Sequence, residues 1–266
     1  SVQLDIESLP FWSREHIMRI ITVLAACLVL AFGKLNDDEE KVRELPGNQA
    51  EPVVYAPLDE ITGNTSPAFG AVVNLHNGPT LVEGHKGKAI LTNNTVRSEI
   101  AKTIYMDLGY FDGECINDID KCEDGYTVSF WYKKEPSVYT WRHYPALAKA
   151  SNWEIRLGER QVDRNKPILF YYGNGKKYNI RFNKQVTNNE WHHLAIVAQN
   201  RSTVKFYIDG ELIADGMYHR SSDYNPTYTV EFGCFQQYTC INAAFDEIKF
   251  WEGAKSDSDI RDIFLS

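Results

Sequence analysis

Carboxylates are the residues of this 266-residue chain best placed for chemistry, and their spacing decides which chemistry. Asp246 and Glu247 are adjacent, so a regular strand turns them to opposite faces. Glu154 and Glu159 stand isolated among Trp, Arg and Gly. A retaining glycosidase needs an acid and a nucleophile about 5 Å apart, and neither arrangement supplies that pair. The sequence contains no Gly-x-Ser-x-Gly elbow, no phosphate-binding glycine loop and no His-Glu-x-x-His zinc motif. His192 and His193 are neighbours within a strand pattern, face opposite ways and read as structural. The chain is therefore expected not to be an enzyme.

Calcium is the ion these residues suit, because carboxylates and carbonyls on loops are hard oxygen ligands. Two constellations are candidates for holding it, against the plain reading of solvated surface acid. The first joins Asp59 and the Thr62–Asn64 loop to Asp246, provided the first and last strands lie side by side. The second is Asp112, Glu114, Asn117, Asp118 and Asp120 in an acidic loop. Tyr139, Trp141, Tyr144, Trp153, Tyr218 and Tyr224 sit in or near loops and are candidates for stacking on sugar rings. Lys176, Lys177, Arg181 and Lys184 form a small basic patch suited to anionic glycans.

These residues need a sheet to position them, and Asn189–Asp215 shows its pattern. His192–Ala198 and Thr203–Ile208 read as strands, the second with Val204, Phe206 and Ile208 on one face. Asp209-Gly210 closes a hairpin onto Glu211–Ala214, since Gly suits the positive φ of primed turns. Tyr126–Lys133 carries bulky residues on both faces and is expected at the centre of a sheet. Further strands are expected at Val53–Leu58, Gly84–Ile90, Glu99–Leu108, Ala146–Ala150, Trp153–Leu157, Ile168–Tyr172, Lys177–Phe182, Thr229–Gly233 and Phe245–Trp251. Ile100, Ile104 and Tyr105 are the core candidates of the third of these, and Ser256–Phe264 reads as a short capped helix.

Four of these segments carry a resemblance. YAPLDEITG, GYTVSFWYK, WHHLAIV with VKFYIDGEL, and AFDEIKFW, in this order along the chain, resemble the laminin G/pentraxin-like group of the concanavalin A-like superfamily. The resemblance implies an all-β jelly-roll sandwich of two antiparallel sheets over residues 53–266, and members of the group often carry one calcium. It implies no single function, because the fold hosts lectins, adhesion modules and glycosidases. Glycosidases of this fold often carry a Glu-x-Asp-x-x-Glu strand, which is absent here.

Outside the sandwich, residues 1–16 form a polar tail, residues 17–33 an apolar helix and residues 34–52 an acidic linker. Ile17–Phe32 is apolar except for Arg19 and Thr22. It reads as a retained signal anchor with the C-terminal domain extracellular or luminal, or as a signal peptide cleaved near Gly33 from a secreted protein. A net charge of −8 argues against nucleic acid as a partner. Protein or glycan partners outside the cell are expected, together with a partner membrane protein at residues 17–33. Cys115 with Cys122, and Cys234 with Cys240, read as local disulfide staples in an oxidising compartment, although crossed pairing stays open. Asn64, Asn93 and Asn200 stand in glycosylation sequons.

Overall fold

The computed structural model describes residues 51–94, 103–111, 114–117, 121–136, 145–150, 153–158, 165–173, 176–181, 183–199, 203–217, 229–234 and 240–266. All belong to the unit Gln49–Ser266. The apolar segment at residues 17–33 lies outside them; among the described residues no helix is long and apolar enough to cross a membrane.

The strands are β1 Val54–Ala56, β2 Thr65–Ser66, β3 Val73–His76, β4 Thr80–Glu83, β5 Lys88–Thr92, β6 Tyr105–Asp107, β7 Tyr126–Lys134 and β8 Ala146–Lys149. They continue as β9 Trp153–Leu157, β10 Pro167–Gly173, β11 Lys176–Arg181, β12 Trp191–Gln199, β13 Thr203–Ile208, β14 Glu211–Met217, β15 Glu231–Phe232 and β16 Ala243–Glu252. One helix, α1 Asp257–Leu265, follows. The first sheet runs β14-β13-β12-β7-β16-β5-β4, with β1 also on β16; the second runs β11-β10-β9-β8-β15-β6-β3-β2. The strand pairs are antiparallel, giving the two-sheet jelly-roll expected from sequence.

The hairpin forms as its pattern requires, with Ile208 opposite Glu211 across Asp209 and Gly210, which both have positive φ. Alternation along β7 and β13 sends Val128, Phe130, Tyr132, Val204, Phe206 and Ile208 into the core between the sheets. There Phe130 meets Phe232 edge to face at 5.3 Å, and Phe232 meets Phe245 at 5.9 Å. Burying each such ring stabilises the fold by about 2–3 kcal/mol. Tyr207 of β13, with Ala195 and Val197 of β12 and Trp251 of β16, forms a second cluster that α1 covers with Ile260 and Ile263. Ser256 caps α1, and Asp259 returns the bond to the Ser256 amide.

Two expected strands shift. The segment expected at Gly84–Ile90 starts only at Lys88, because Gly84 and Gly87 close a tight turn through Gly84 N–H to Gly87 C=O. The one expected at Glu99–Leu108 is a strand only over Tyr105–Asp107. Ile104 gives its backbone bonds to the Asn94 side chain instead of a strand, and Met106 and Leu108 are the buried hydrophobic residues there. Ile100 lies outside the described residues.

Candidate functional site

The chemistry gathers where β16 changes partner. Its first half pairs with β5, ending at Phe245 opposite Ile90; its second half pairs with β1, starting at Ile248 opposite Ala56. Asp246 and Glu247 fall in the gap between. On the other side, β7 meets a bulge: Asp246 stands opposite Trp131 and Lys249 opposite Ser129, so Glu247 and Ile248 share one β7 residue. Glu247 takes a φ of 51°, and Leu58, fully buried two residues beyond β1, takes 63°. Left-handed backbone at two non-glycine residues is strain of the kind that clusters at ligand sites.

The bulge corrects one expectation. In a regular strand Asp246 and Glu247 would part to opposite faces; the extra residue breaks the alternation. Phe245, Ile248 and Phe250 go into the core. Glu247 instead joins Tyr55 and Lys249 on the outer face: its Oε1 accepts from the Tyr55 hydroxyl at 2.6 Å, and its Oε2 lies 2.8 Å from Lys249 Nζ. The Lys249 ammonium also sits 5.0 Å from the centre of the Tyr55 ring.

Asp246 is fully buried. Its Oδ2 accepts from the Lys86 amide at 3.0 Å, while its Oδ1 has no hydrogen-bond partner. Burial pushes its carboxyl up to about 7, against the bonds from the turn amides. Asp59 approaches the same turn from the other side, its Oδ1 accepting from the Lys88 amide at 2.7 Å. Both glycines of the turn make this approach possible. A Cβ on Gly84 would lie 2.7 Å from Asp246 Oδ2, and one on Gly87 would lie 2.3 Å from Asp59 Oδ1. Tyr55 feels the whole group: burial, the Glu247 bond and the charges of Glu247, Asp59 and Asp246 all raise its pKa. His85, on the turn, stacks on Trp131 at 3.5 Å.

The structure thus brings Asp59 and Asp246 onto one turn. Thr62 and Asn64 lie on an exposed turn, bonded to Thr65 and Leu75. Calcium fits the acidic notch in part: it offers an orphaned hard oxygen, a second carboxylate and a glycine-lined cradle. Among the described residues no three His, Cys, Asp or Glu side chains converge as a metal cluster, so a bound ion would draw its remaining ligands from carbonyls and water.

The other sequence candidates are dispersed. Asp112, Asp118 and Asp120 lie outside the described residues; Glu114, Glu123, Asp124 and Glu252, with Lys121, line a cavity of about 600 Å³ beside the Cys115–Cys122 disulfide. Cys234 pairs with Cys240, so both cysteine pairs are local. Asn64 and Asn93 are exposed, and Asn200 lies outside the described residues. Trp153, expected near a loop surface, is 2% exposed in the core, because β9 turns it inward with Ile155 and Leu157. Tyr139, Trp141, Tyr144, Tyr218 and Tyr224 lie outside the described residues. Of the basic patch, Lys184 is paired with Glu211 at 2.9 Å and Arg181 is exposed. His192 bonds Asp209 and Thr187, and His193 is buried on the outer face of the first sheet, opposite Trp131.

Glu154 is not isolated. Register aligns Asn74, Asp107, Glu231, Lys149 and Glu154 in one row across β3, β6, β15, β8 and β9. His76 Nε2 meets Asp107 at 2.5 Å and Arg156 Nε meets Glu154 at 2.5 Å. Burial raises the pKa of Glu231 and lowers that of Lys149 to about 8. A row assembled from five strands leaves no local spacing for sequence reading to find. The Gly84-x-x-Gly87 pair was the available signal for the notch turn.

Two antiparallel sheets packed over one core define the jelly-roll sandwich class. The chain belongs to the concanavalin A-like lectin/glucanases superfamily: a laminin G family model of that description matches residues 108–261, more than half of its length. No curated protein matches it. Among solved structures it is similar to domain 4 of AbnA, an extracellular GH43 arabinanase from Geobacillus stearothermophilus in complex with arabinotriose. The identity is 21% and the TM-score 0.58, over 80% of this chain and 98% of that domain. It is similar to the binding domain of Paraclostridial Mosquitocidal Protein 1 at 16% identity and TM-score 0.57, over 80% of this chain and 52% of that one. The binding domain of botulinum neurotoxin DC, in complex with rat synaptotagmin II, matches at 14% identity and TM-score 0.59, over 81% and 51%. The chain spans about half the length of those two toxin domains.

Proposed function

We propose that this protein is a non-catalytic recognition module that holds protein or glycan partners outside the cell. The observation that carries the reading is the likeness of the described sandwich to two domains named for binding, one of them in complex with a protein, and to a domain of an arabinanase in complex with a sugar. Calcium is the ion it would take, through Asp246 and Asp59, since Asp246 Oδ1 is buried without a partner. Residues 17–33 would anchor the module in a membrane, with glycans on exposed Asn64 and Asn93 and on Asn200.

A second reading rests on Arg19. A charge inside an apolar segment is satisfied most readily by a partner helix, which would make the chain an accessory subunit of a membrane complex. Extraction of the full chain in mild detergent, followed by mass spectrometry of co-purifying proteins and of its own first residue, tests both. A stoichiometric membrane partner with residues 17–33 retained supports the subunit. A solitary chain that is retained on immobilised glycans or matrix proteins supports the recognition module. A solitary chain that shortens oligosaccharides would refute both.

A further inference from the structure

His193 lies at the centre of a contact that no binding role explains. Its side chain is fully buried and neither ring nitrogen has a hydrogen-bond partner. It stands opposite Trp131 on the outer face of the first sheet, 5.3 Å from that ring. The other cover is Phe264 of α1, 6.1 Å from His193 and 5.5 Å from Trp131. Ser129, two residues before Trp131 on the same face, is also buried with its hydroxyl unpartnered. Polar groups buried without partners are costly, and here the C-terminal helix keeps them from water.

We propose that α1 is an acid-released latch: protonation of His193 drives Phe264 and the helix off the sheet, exposing the Trp131–His193–Trp251 face.

A buried imidazolium at this position has no acceptor for either N–H. Three charged or titratable groups act on it. Asp209 lies on the hairpin turn and favours the charge, but its oxygens already accept from the His193 amide and the His192 ring. Lys249 on β16 and His85 on the β4–β5 turn oppose it. Burial dominates and pushes the His193 pKa down to about 3. With α1 lifted, the ring meets water and titrates near its ordinary value. The helix is held otherwise by Ile260, Ile263 and Asp257, which bonds Lys205 and Tyr207 at 2.7 Å each. The Lys205 bond, then the Tyr207 bond, hold the Asp257 carboxyl below its usual range, so that anchor persists at pH 5. Asp246, opposite Trp131 on β16 and bonded to the β4–β5 turn, also titrates in this window. The effect of His193 must therefore be isolated by substitution.

Hydrogen exchange of the full chain, read by mass spectrometry at pH 7.5 and 5.0, tests the latch. With an ordinary histidine value near 6.5 in the open form, peptides covering 257–265 should open about thirtyfold more often at pH 5.0, after correction for intrinsic exchange. β7 and β12 should stay protected at both pH values. His193→Phe, which keeps the ring and removes the proton site, should abolish the difference. Equal opening at the two pH values, or an acid response retained in His193→Phe, overturns the proposal. Should that variant not fold, the ring proton shift of His193 in the wild type decides: it must titrate together with helix opening, and a ring still neutral while the helix exchanges refutes the latch.

Discussion

At the residue scale, Asp246 is a fully buried carboxyl beside the bulge of β16. Its carboxyl is raised to about 7 by burial, so the folded chain holds a proton that the unfolded chain releases near 4. The sign follows. Stability from this group is greatest below pH 4 and is lost as pH rises through 7. Asp246→Asn should therefore stabilise the calcium-free protein at pH 8, by roughly 1–3 kcal/mol, and should erase any gain on adding calcium. Thermal melts in chelator and in calcium would check both halves; a variant less stable in chelator at pH 8 contradicts the account. The pairing of Asp59 with Asp246 at one site was legible in the sequence, because opening and closing strands of a sandwich lie together. Glu247 was not, because a bulge is set by pairing on both sides of β16 and leaves no mark on the local pattern. Tyr55 was invisible for the same reason: only the fold brings its hydroxyl to a carboxylate 192 residues away.

At the element scale, strong local patterns survived folding. The Asp209-Gly210 hairpin, the doubly apolar β7 and the capped α1 follow from alternation, turn chemistry and capping. Strands β2, β3 and β4 were missed, being two to four residues long and broken by Gly78 and Pro79. β4 in addition is nearly all exposed, so burial wrote no pattern on it. Ser256→Ala removes the cap of α1 and should cost about 1 kcal/mol, visible as faster exchange over 257–265 with the sandwich unchanged. Gly70→Ala is a harsher change. Gly70 has a φ of 71°, and a Cβ there would lie 1.9 Å from the Val53 carbonyl beside β1. β1 should detach from β16, which holds Tyr55 and Asp59 in place, so the variant should melt several degrees lower. An unchanged melting temperature would show that β1 tolerates the displacement.

At the scale of the whole molecule, two sheets, a helix-covered second cluster and two short disulfide loops form one scaffold. Each disulfide closes fewer than ten residues, so reduction of either should cost about 2 kcal/mol rather than unfold the sandwich. Denaturant midpoints of the oxidised and reduced chain would show the difference. The fold class was readable because four segments in order carry the same family signature over most of the sandwich. The polar row on the second sheet was not, since register across five strands created it. The central claim is recognition without catalysis. Its most direct test is to pass the full chain over arrays of oligosaccharides and extracellular matrix proteins, and to chromatograph the sugars afterwards. The account predicts specific retention on at least one surface with every oligosaccharide recovered intact. Shortened oligosaccharides, released without retention, would contradict it.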